Sequence, residues 1–237
     1  MLHNVFGDVG AGKSAFLMRA IEKLYYKRGQ QIWDYSKRKI EEENKKRKRK
    51  LTPPDRVPIY STFDFEIPNP DGSVYHPYLI KGKDIGIGKK YKKLYPGAVI
   101  ILDEAQNDFN AKDVLPRMVS EFFEKHRHAD FEIWVASQRP ILINKDIRDI
   151  SRHFIQIYKL EMTKAAFGII THLKWHCREF DSRADVDDYV ELSEHDKGDS
   201  VSYKETVYES GGSILNHYNS KGLLTDFLPT EGEDYVN

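Results

Sequence analysis

Gly7-Asp8-Val9-Gly10-Ala11-Gly12-Lys13-Ser14 is the stretch on which the reading of this chain turns. It fits the spacing G-x-x-x-x-G-K-[ST] at every fixed position. Glycines let the backbone turn tightly and bring its N–H groups against phosphate oxygens. A helix starting near Gly12 adds the positive end of its dipole at the same place. Lys13 is then expected to reach the β- and γ-phosphates, and the Ser14 hydroxyl to ligate Mg²⁺. Nucleotide contacts are assigned to Gly7, Asp8, Val9, Gly10, Ala11, Gly12, Lys13, Ser14 and Ala15, with ATP and Mg²⁺ as the expected ligands. The flanks suit this chemistry. Leu2–Phe6 is short and apolar enough for a buried strand. Ser14–Arg28 carries Phe16, Leu17, Ala20, Ile21, Leu24 and Tyr25 at helical spacing, with Gly29 as its expected stop.

Hydrolysis on such a loop needs a second strand ending in an aspartate for the metal shell. Ala98-Val99-Ile100-Ile101-Leu102 follows Pro96-Gly97 and runs into Asp103-Glu104. An unbroken aliphatic run is what a strand buried on both faces of a parallel sheet looks like. Asp103 is thereby expected at the carboxyl edge of the sheet, where ligands bind. Glu104 is placed to polarise the attacking water. Phe131–Ala136 reads as another buried strand, and Gln138 just beyond it as a sensor of the γ-phosphate, a turn-capping glutamine being the alternative. Arg148 and Arg127 are candidates for a finger reaching a neighbouring subunit's nucleotide, and surface ion pairing explains either as cheaply. Lys13, Asp103, Glu104, Gln138 and Arg148 form the expected catalytic set, and Ser14 with Asp103 the metal set.

The remainder sets bounds. The chain has 237 residues, 40% hydrophobic and 12% aromatic, enough for a core without staples. One cysteine, Cys177, rules out an intramolecular disulfide or a multi-cysteine metal site, and a reducing compartment is the simplest reading. No run of 18 apolar residues is present, so no membrane-spanning helix is expected and the chain reads as cytoplasmic. The zero net charge hides a split: residues 1–100 hold 21 Lys and Arg against 11 Asp and Glu, and residues 101–237 hold 16 against 26. Such a split suits a polyanion-facing front and an acidic tail, or simply two solvated ends. The Lys45–Lys50 run, inside a basic insertion over about residues 35–56, is the obvious patch for DNA, for anionic lipid, or for solubility alone. His172 and His176 lie about 13 Å apart if strand-borne, too far to share an ion, and His126 and His128 lack an acidic or thiol companion.

Val57–Phe65, Phe154–Tyr158 and the alternating stretch Phe167–Phe180 read as strands, residues 112–128 as helix, and residues 66–78 and 181–199 as loop. The tail 200–237 reads as a strand or hairpin with a docking segment. Alternating strands and helices make the fold class α/β, a mainly parallel sheet flanked by helices. Residues 1–160 are expected as the ATPase core and residues 161–237 as a small β-containing extension.

These residues resemble a known family. Gly7–Ser14 near the N-terminus, Pro58-Ile59-Tyr60-Ser61, Ile100–Gln106, Phe122–His128 with its His-Arg-His, and Ser137-Gln138 followed by Ile147-Arg148 are similar to motifs of the zonular occludens toxin (Zot) family. Tyr208-Glu209-Ser210 and Tyr218-Asn219-Ser220 resemble its later Tyr-x-Ser echoes. That family includes the assembly ATPases of filamentous bacteriophages and sits near the FtsK/HerA translocases. The resemblance implies a RecA-like P-loop core that works as a homo-oligomeric ring, a hexamer being one form. It implies phage DNA and coat or envelope assembly proteins as partners, in packaging or extrusion during virion assembly. Family members typically carry a membrane-spanning helix after the ATPase domain, and the sequence to Asn237 has none. Three expectations stay open: the sequence is only the cytoplasmic part, it recruits a separate membrane partner, or it works as a soluble packaging motor, with peripheral association at the host inner membrane, through a partner or a basic patch, as one form of a cytoplasmic location. A nucleotide-gated scaffold that hydrolyses slowly is the alternative activity.

Overall fold

Short aliphatic runs pair side by side as the sequence predicts. The computed structural model describes residues 1–47, 52–191 and 201–217. Strands are β1 (Leu2–Phe6), β2 (Ile59–Ser61), β3 (Ile67–Pro68), β4 (Val74–Tyr75), β5 (Tyr78–Leu79), β6 (Val99–Leu102), β7 (Glu132–Ser137), β8 (His153–Lys164), β9 (Ile170–Phe180) and β10 (Lys204–Gly211). Helices are α1 (Lys13–Lys23), α2 (Gly29–Arg47), α3 (Arg117–Lys125), α4 (Lys145–Ile150) and α5 (Arg183–Glu191). One sheet has the order β10-β9-β8-β1-β7-β6-β2-β5. From β8 to β5 its pairings are parallel, and β9 and β10 add antiparallel strands beyond β8.

The four residues of β6 explain why the sheet is covered on both sides. Val99 and Ile101 join Phe16, Leu17 and Ile21 of α1. Ile100 and Leu102 point the other way, to Val119, Phe122 and Phe123 of α3 and Ile147 of α4. A third cluster sets Val186 and Tyr189 of α5 against Phe6, Phe154 and Phe180. The result is an α/β layer structure with a mostly parallel sheet between helices.

Several local expectations are corrected. Gly29 does not end the first helix. A π-helical turn over Leu24–Arg28 leads straight into α2, and a Cβ at Gly29 would sit 2.3 Å from the Leu24 carbonyl oxygen. The glycine admits the widened turn. Its continuation is anchored by fully buried Trp33, whose indole donates to the Pro54 carbonyl at 3.0 Å. The basic insertion thus begins as the exposed end of a core helix, and Lys48–Lys50 lie outside the described residues. Residues 66–78 are more than loop, since β3 and β4 form a hairpin whose turn is tied by the Asp71 carboxylate to Ser73. The acidic stretch contains α5. The Ser182 hydroxyl accepts from the Asp185 amide at 3.2 Å and donates to its carboxylate at 2.6 Å, a cap written in the sequence as Ser-x-x-Asp. Residues 192–199 and the second Tyr-x-Ser echo fall outside the described residues. Strand β8 continues past Tyr158 and past residue 160, and β9 extends the same sheet. Of the alternating stretch Phe167–Phe180, Phe167 and Ile169 are exposed at the tip of the β8–β9 hairpin, whereas Leu173, Trp175 and Cys177 are buried.

Candidate functional site

The loop after β1 is built as its glycines dictate. Gly10 and Gly12 take φ of 82° and 78°. Gly12 is the residue from which α1 starts, in the left-handed region, and its carbonyl accepts the Phe16 amide at 2.9 Å. The Ala11 amide closes the turn on the Asp8 carbonyl at 3.1 Å. Lys13 is buried beneath the loop, its Nζ donating to the carbonyls of Gly7 (2.9 Å) and Asp8 (3.2 Å). The loop is braced from outside: the Trp175 indole N–H of β9 donates to the Gly12 carbonyl at 3.2 Å. A Cβ on Gly12 would meet Leu160 Cδ2 at 2.7 Å and Trp175 Nε1 at 3.0 Å. Gly12→Ala therefore combines a left-handed alanine with a clash, and is expected to cost about 2 kcal/mol. A urea titration of the variant should show that loss as a lower midpoint.

Ser14 and Asp103, far apart in sequence, meet at the carboxyl edge. The Ser14 hydroxyl donates to Asp103 Oδ2 at 2.5 Å. The Glu104 amide donates to Asp103 Oδ1 at 3.0 Å. Thr62, at the end of β2, clamps the Asp103 backbone: its Oγ1 accepts the Asp103 amide at 2.9 Å and donates to the Asp103 carbonyl at 3.3 Å. Burial raises the Asp103 carboxyl above its ordinary range, and the Glu104 charge adds to this. The Ser14 hydroxyl, the Glu104 amide and Lys13 pull the other way. A half-buried hydroxyl and a half-buried carboxylate converging on one point, beside an ammonium, suit a hydrated divalent cation bridging to phosphate. The residues present thus fit Mg²⁺.

Glu104 adopts a left-handed φ of 48°, and its carboxylate accepts the side-chain amide of Gln106. The other side-chain atom of Gln106, Oε1, is buried with no hydrogen-bond partner among the described residues. Strand β7 lies between β1 and β6. Its last residue, Ser137, is level with Phe6 on β1. Gln138 follows, half-buried, at the seam between the phosphate loop and Asp103-Glu104. The fold thereby brings Gly7–Ala15, Asp103, Glu104 and Gln138 to one edge.

The two arginines lie elsewhere. Arg148 on α4 is turned inward, donating to the Ile143 carbonyl (3.1 Å) and to Asp187 of α5 (3.2 Å). Arg127 is exposed in the turn before β7, at the opposite edge of the sheet. Beside it opens a cleft of about 590 Å³ that Tyr35, Asp130 and Arg152 also line. His126 of the same turn is buried, its Nδ1 on the Phe123 carbonyl.

Sequence reading missed Thr62 and Gln106 as supports, and one charged surface. Between β5 and β6 a strap carries Lys81, Lys83, Lys89, Lys90, Lys92 and Lys93, all exposed, with Asp84 its single acid. Buried Ile85 and Tyr91 pin it to the α3 face, and the Ile87 amide bonds the Met118 carbonyl at 3.0 Å. At its start the Gly82 amide donates to Asp108, four residues past Glu104, at 3.0 Å. The interleaved glycines hid this cluster from a search for unbroken basic runs. Lys45 and Lys46, by contrast, lie at the far end of α2. Lys39 on that helix already pairs with Asp130 at the opposite edge (3.8 Å), two turns before Lys45.

Comparison with known proteins agrees with this architecture. The N-terminal domain of zonular occludens toxin from Neisseria meningitidis superposes with a TM-score of 0.54 at 15% identity, over 92% of this chain and 98% of that one, a likeness of fold. The genome packaging NTPase B204 from Sulfolobus turreted icosahedral virus 2, in complex with ATP-gammaS, reaches only 0.38 at 14% identity, over 73% and 90%. No curated protein matches the sequence. The family model described as zonular occludens toxin (Zot) matches residues 75–206, which contain Asp103, Glu104 and Gln138 and make up more than half of the chain. The chain belongs to the zonular occludens toxin (Zot) family.

Proposed function

We propose that this protein is an ATP-hydrolysing motor of phage morphogenesis that moves DNA during virion assembly. The observation that carries the reading is the 2.5 Å contact between Ser14 and Asp103 at the mouth of a left-handed glycine loop. Ser14 and Asp103 would hold Mg²⁺, and Lys13 would exchange its two loop carbonyls for phosphate oxygens. When bound, the metal would neutralise charge on the β- and γ-oxygens. Glu104 then takes a proton from the attacking water, oriented by Gln106, and Gln138 contacts the γ-phosphate or that water. Family membership supports a homo-oligomeric ring and coat or envelope partners. Arg127, exposed away from the protomer's own loop, suits a residue offered to a neighbour better than Arg148, which is already engaged.

The lysine strap supports a nucleic-acid track. Its start is hydrogen-bonded to the segment that follows Glu104, so strain on the strap reaches the hydrolytic edge directly. Reversing Lys89, Lys90 and Lys93 to Glu should weaken DNA binding at least tenfold. It should also flatten the slope of log affinity against log salt by about 0.9 per lost phosphate contact, with calorimetric ATP affinity unchanged. ATPase activity measured with and without single- and double-stranded DNA tests the motor itself. Clear stimulation is expected. No response to either DNA, with tight binding to a coat or envelope protein, would replace the motor by a nucleotide-gated scaffold.

A further inference from the structure

Beyond Gln156, β8 has no strand partner on its β1 side among the described residues and runs on with β9, which β10 flanks as far as His172, so only the turn end, residues 164–171, stands clear of a third strand. The hairpin roots against the phosphate loop through Leu160 and Trp175. Its tip is Ala165-Ala166-Phe167-Gly168-Ile169, closed by the Ala165 amide on the Ile169 carbonyl at 2.8 Å. Phe167 and Gly168 both take left-handed φ, 62° and 77°. A bulky aromatic is a poor choice for the first of two such positions, where Asn or Gly is the norm. Phe167 is nonetheless fully exposed there (101%), with Ile169 (62%) open at the same turn and Met162 (50%) open further back on β8. An apolar ring held out on a strained turn is a feature that folding alone does not explain.

The charge pattern says what kind of surface would cover it. From Met162 to Arg178 there is no Asp or Glu, in a half of the chain that is otherwise strongly acidic. The same span holds Lys164, Lys174, Arg178, His172 and His176. The acids facing it come from the root and the neighbouring strand. Glu161 meets Lys159 and His176, Glu209 meets Lys174 and His172, and Glu205 meets Arg178. Lys164, next to the tip, has no ion pair among the described residues. Three open apolar side chains with a cation behind them match an anionic bilayer, whose headgroups take the lysine and whose acyl boundary takes the ring. Nucleic acid would use the lysine and the ring but gain nothing from burying Ile169 and Met162. Among the described residues no helix is long and apolar enough to cross a membrane.

We propose that the tip of the β8–β9 hairpin, centred on Phe167 and Ile169 with Lys164 behind it, docks the protein onto an anionic lipid surface beside its nucleotide edge. The structure also supplies the reporter. Cys177 is buried and its thiol is pushed up to about 12 by burial, so it stays unreactive. Phe167→Cys on the full chain can therefore be labelled singly with an environment-sensitive dye. Mixing with phosphatidylglycerol-containing vesicles should shift the dye to an apolar signal, and pure phosphatidylcholine vesicles should not. In co-sedimentation, Phe167→Asp combined with Ile169→Asp should bind anionic vesicles at least tenfold less, while unfolding at the midpoint of the parent and binding ATP as it does. The proposal is overturned if the parent ignores anionic vesicles or if the double variant binds them equally well. It is equally overturned if the dye is already in an apolar setting without vesicles, as cover by residues 218–237 or a second copy would produce. Loss of oligonucleotide binding in place of vesicle binding also overturns it. None of these readouts requires hydrolysis, so failure here and failure of the motor reading are distinct.

Discussion

Glu104→Gln is expected to lower ATP turnover by about three orders of magnitude while leaving ATP affinity within about twofold of the parent. The exchange keeps size and shape, and an amide oxygen still accepts the Gln106 side chain that holds the carboxylate. It removes the ability to take a proton, and a positioned general base is worth roughly 10² to 10⁴ in rate. On the proposed reading, nucleotide grip would rest on other groups: the loop amides, Lys13, and the Ser14–Asp103 pair. The split between lost turnover and kept binding is therefore the signature, read by phosphate release alongside calorimetry. Gln106→Ala separates a positioning role from a catalytic one, since it should lower turnover far less and leave its pH dependence in place. Turnover close to the parent in Glu104→Gln would remove Glu104 from the reaction.

The sequence made this edge legible because its parts are local and chemically narrow. A glycine loop between a strand and a helix, and an aliphatic run ending in Asp-Glu, each need only a few neighbours to be recognised. The structure carries them to one point because β7 inserts between β1 and β6. That insertion gives Gln138 its position and could not be read from spacing alone. What escaped were features set by tertiary contact. Gly29 looks like a helix stop until the π turn around it is seen. Thr62 has no motif of its own and matters because β2 lies beside β6. The lysine strap is a surface only once Ile85 and Tyr91 are buried beneath it. The helix in the acidic stretch was legible after all, through Ser182 and Asp185 with Val186 and Tyr189 as its apolar stripe. Its high acid content masked that pattern.

Asp103→Asn should abolish magnesium-dependent ATP binding and, in the same molecule, remove a cost that the nucleotide-free fold carries as pH rises. Both effects come from one carboxylate held where charge is costly. Burial raises its pKa above the ordinary carboxylate value. A raised acid favours the fold while protonated, so its contribution is complete below about pH 4 and is lost as pH rises through the folded value. At neutral pH the ionised group works against the fold, and the amide of the variant escapes that pH-dependent cost; its oxygen still accepts the Ser14 hydroxyl, whereas its NH2 replaces the oxygen that accepted the Glu104 amide, a loss that does not depend on pH. Urea unfolding in EDTA should therefore show the variant's stability relative to the parent rising from pH 4 to pH 7. ATP affinity in magnesium should fall at least a hundredfold, and affinity in EDTA should match that of the parent. Equal losses with and without magnesium, with a stability difference that does not change with pH, would make Asp103 a structural cap on the phosphate loop and take the metal away from this site.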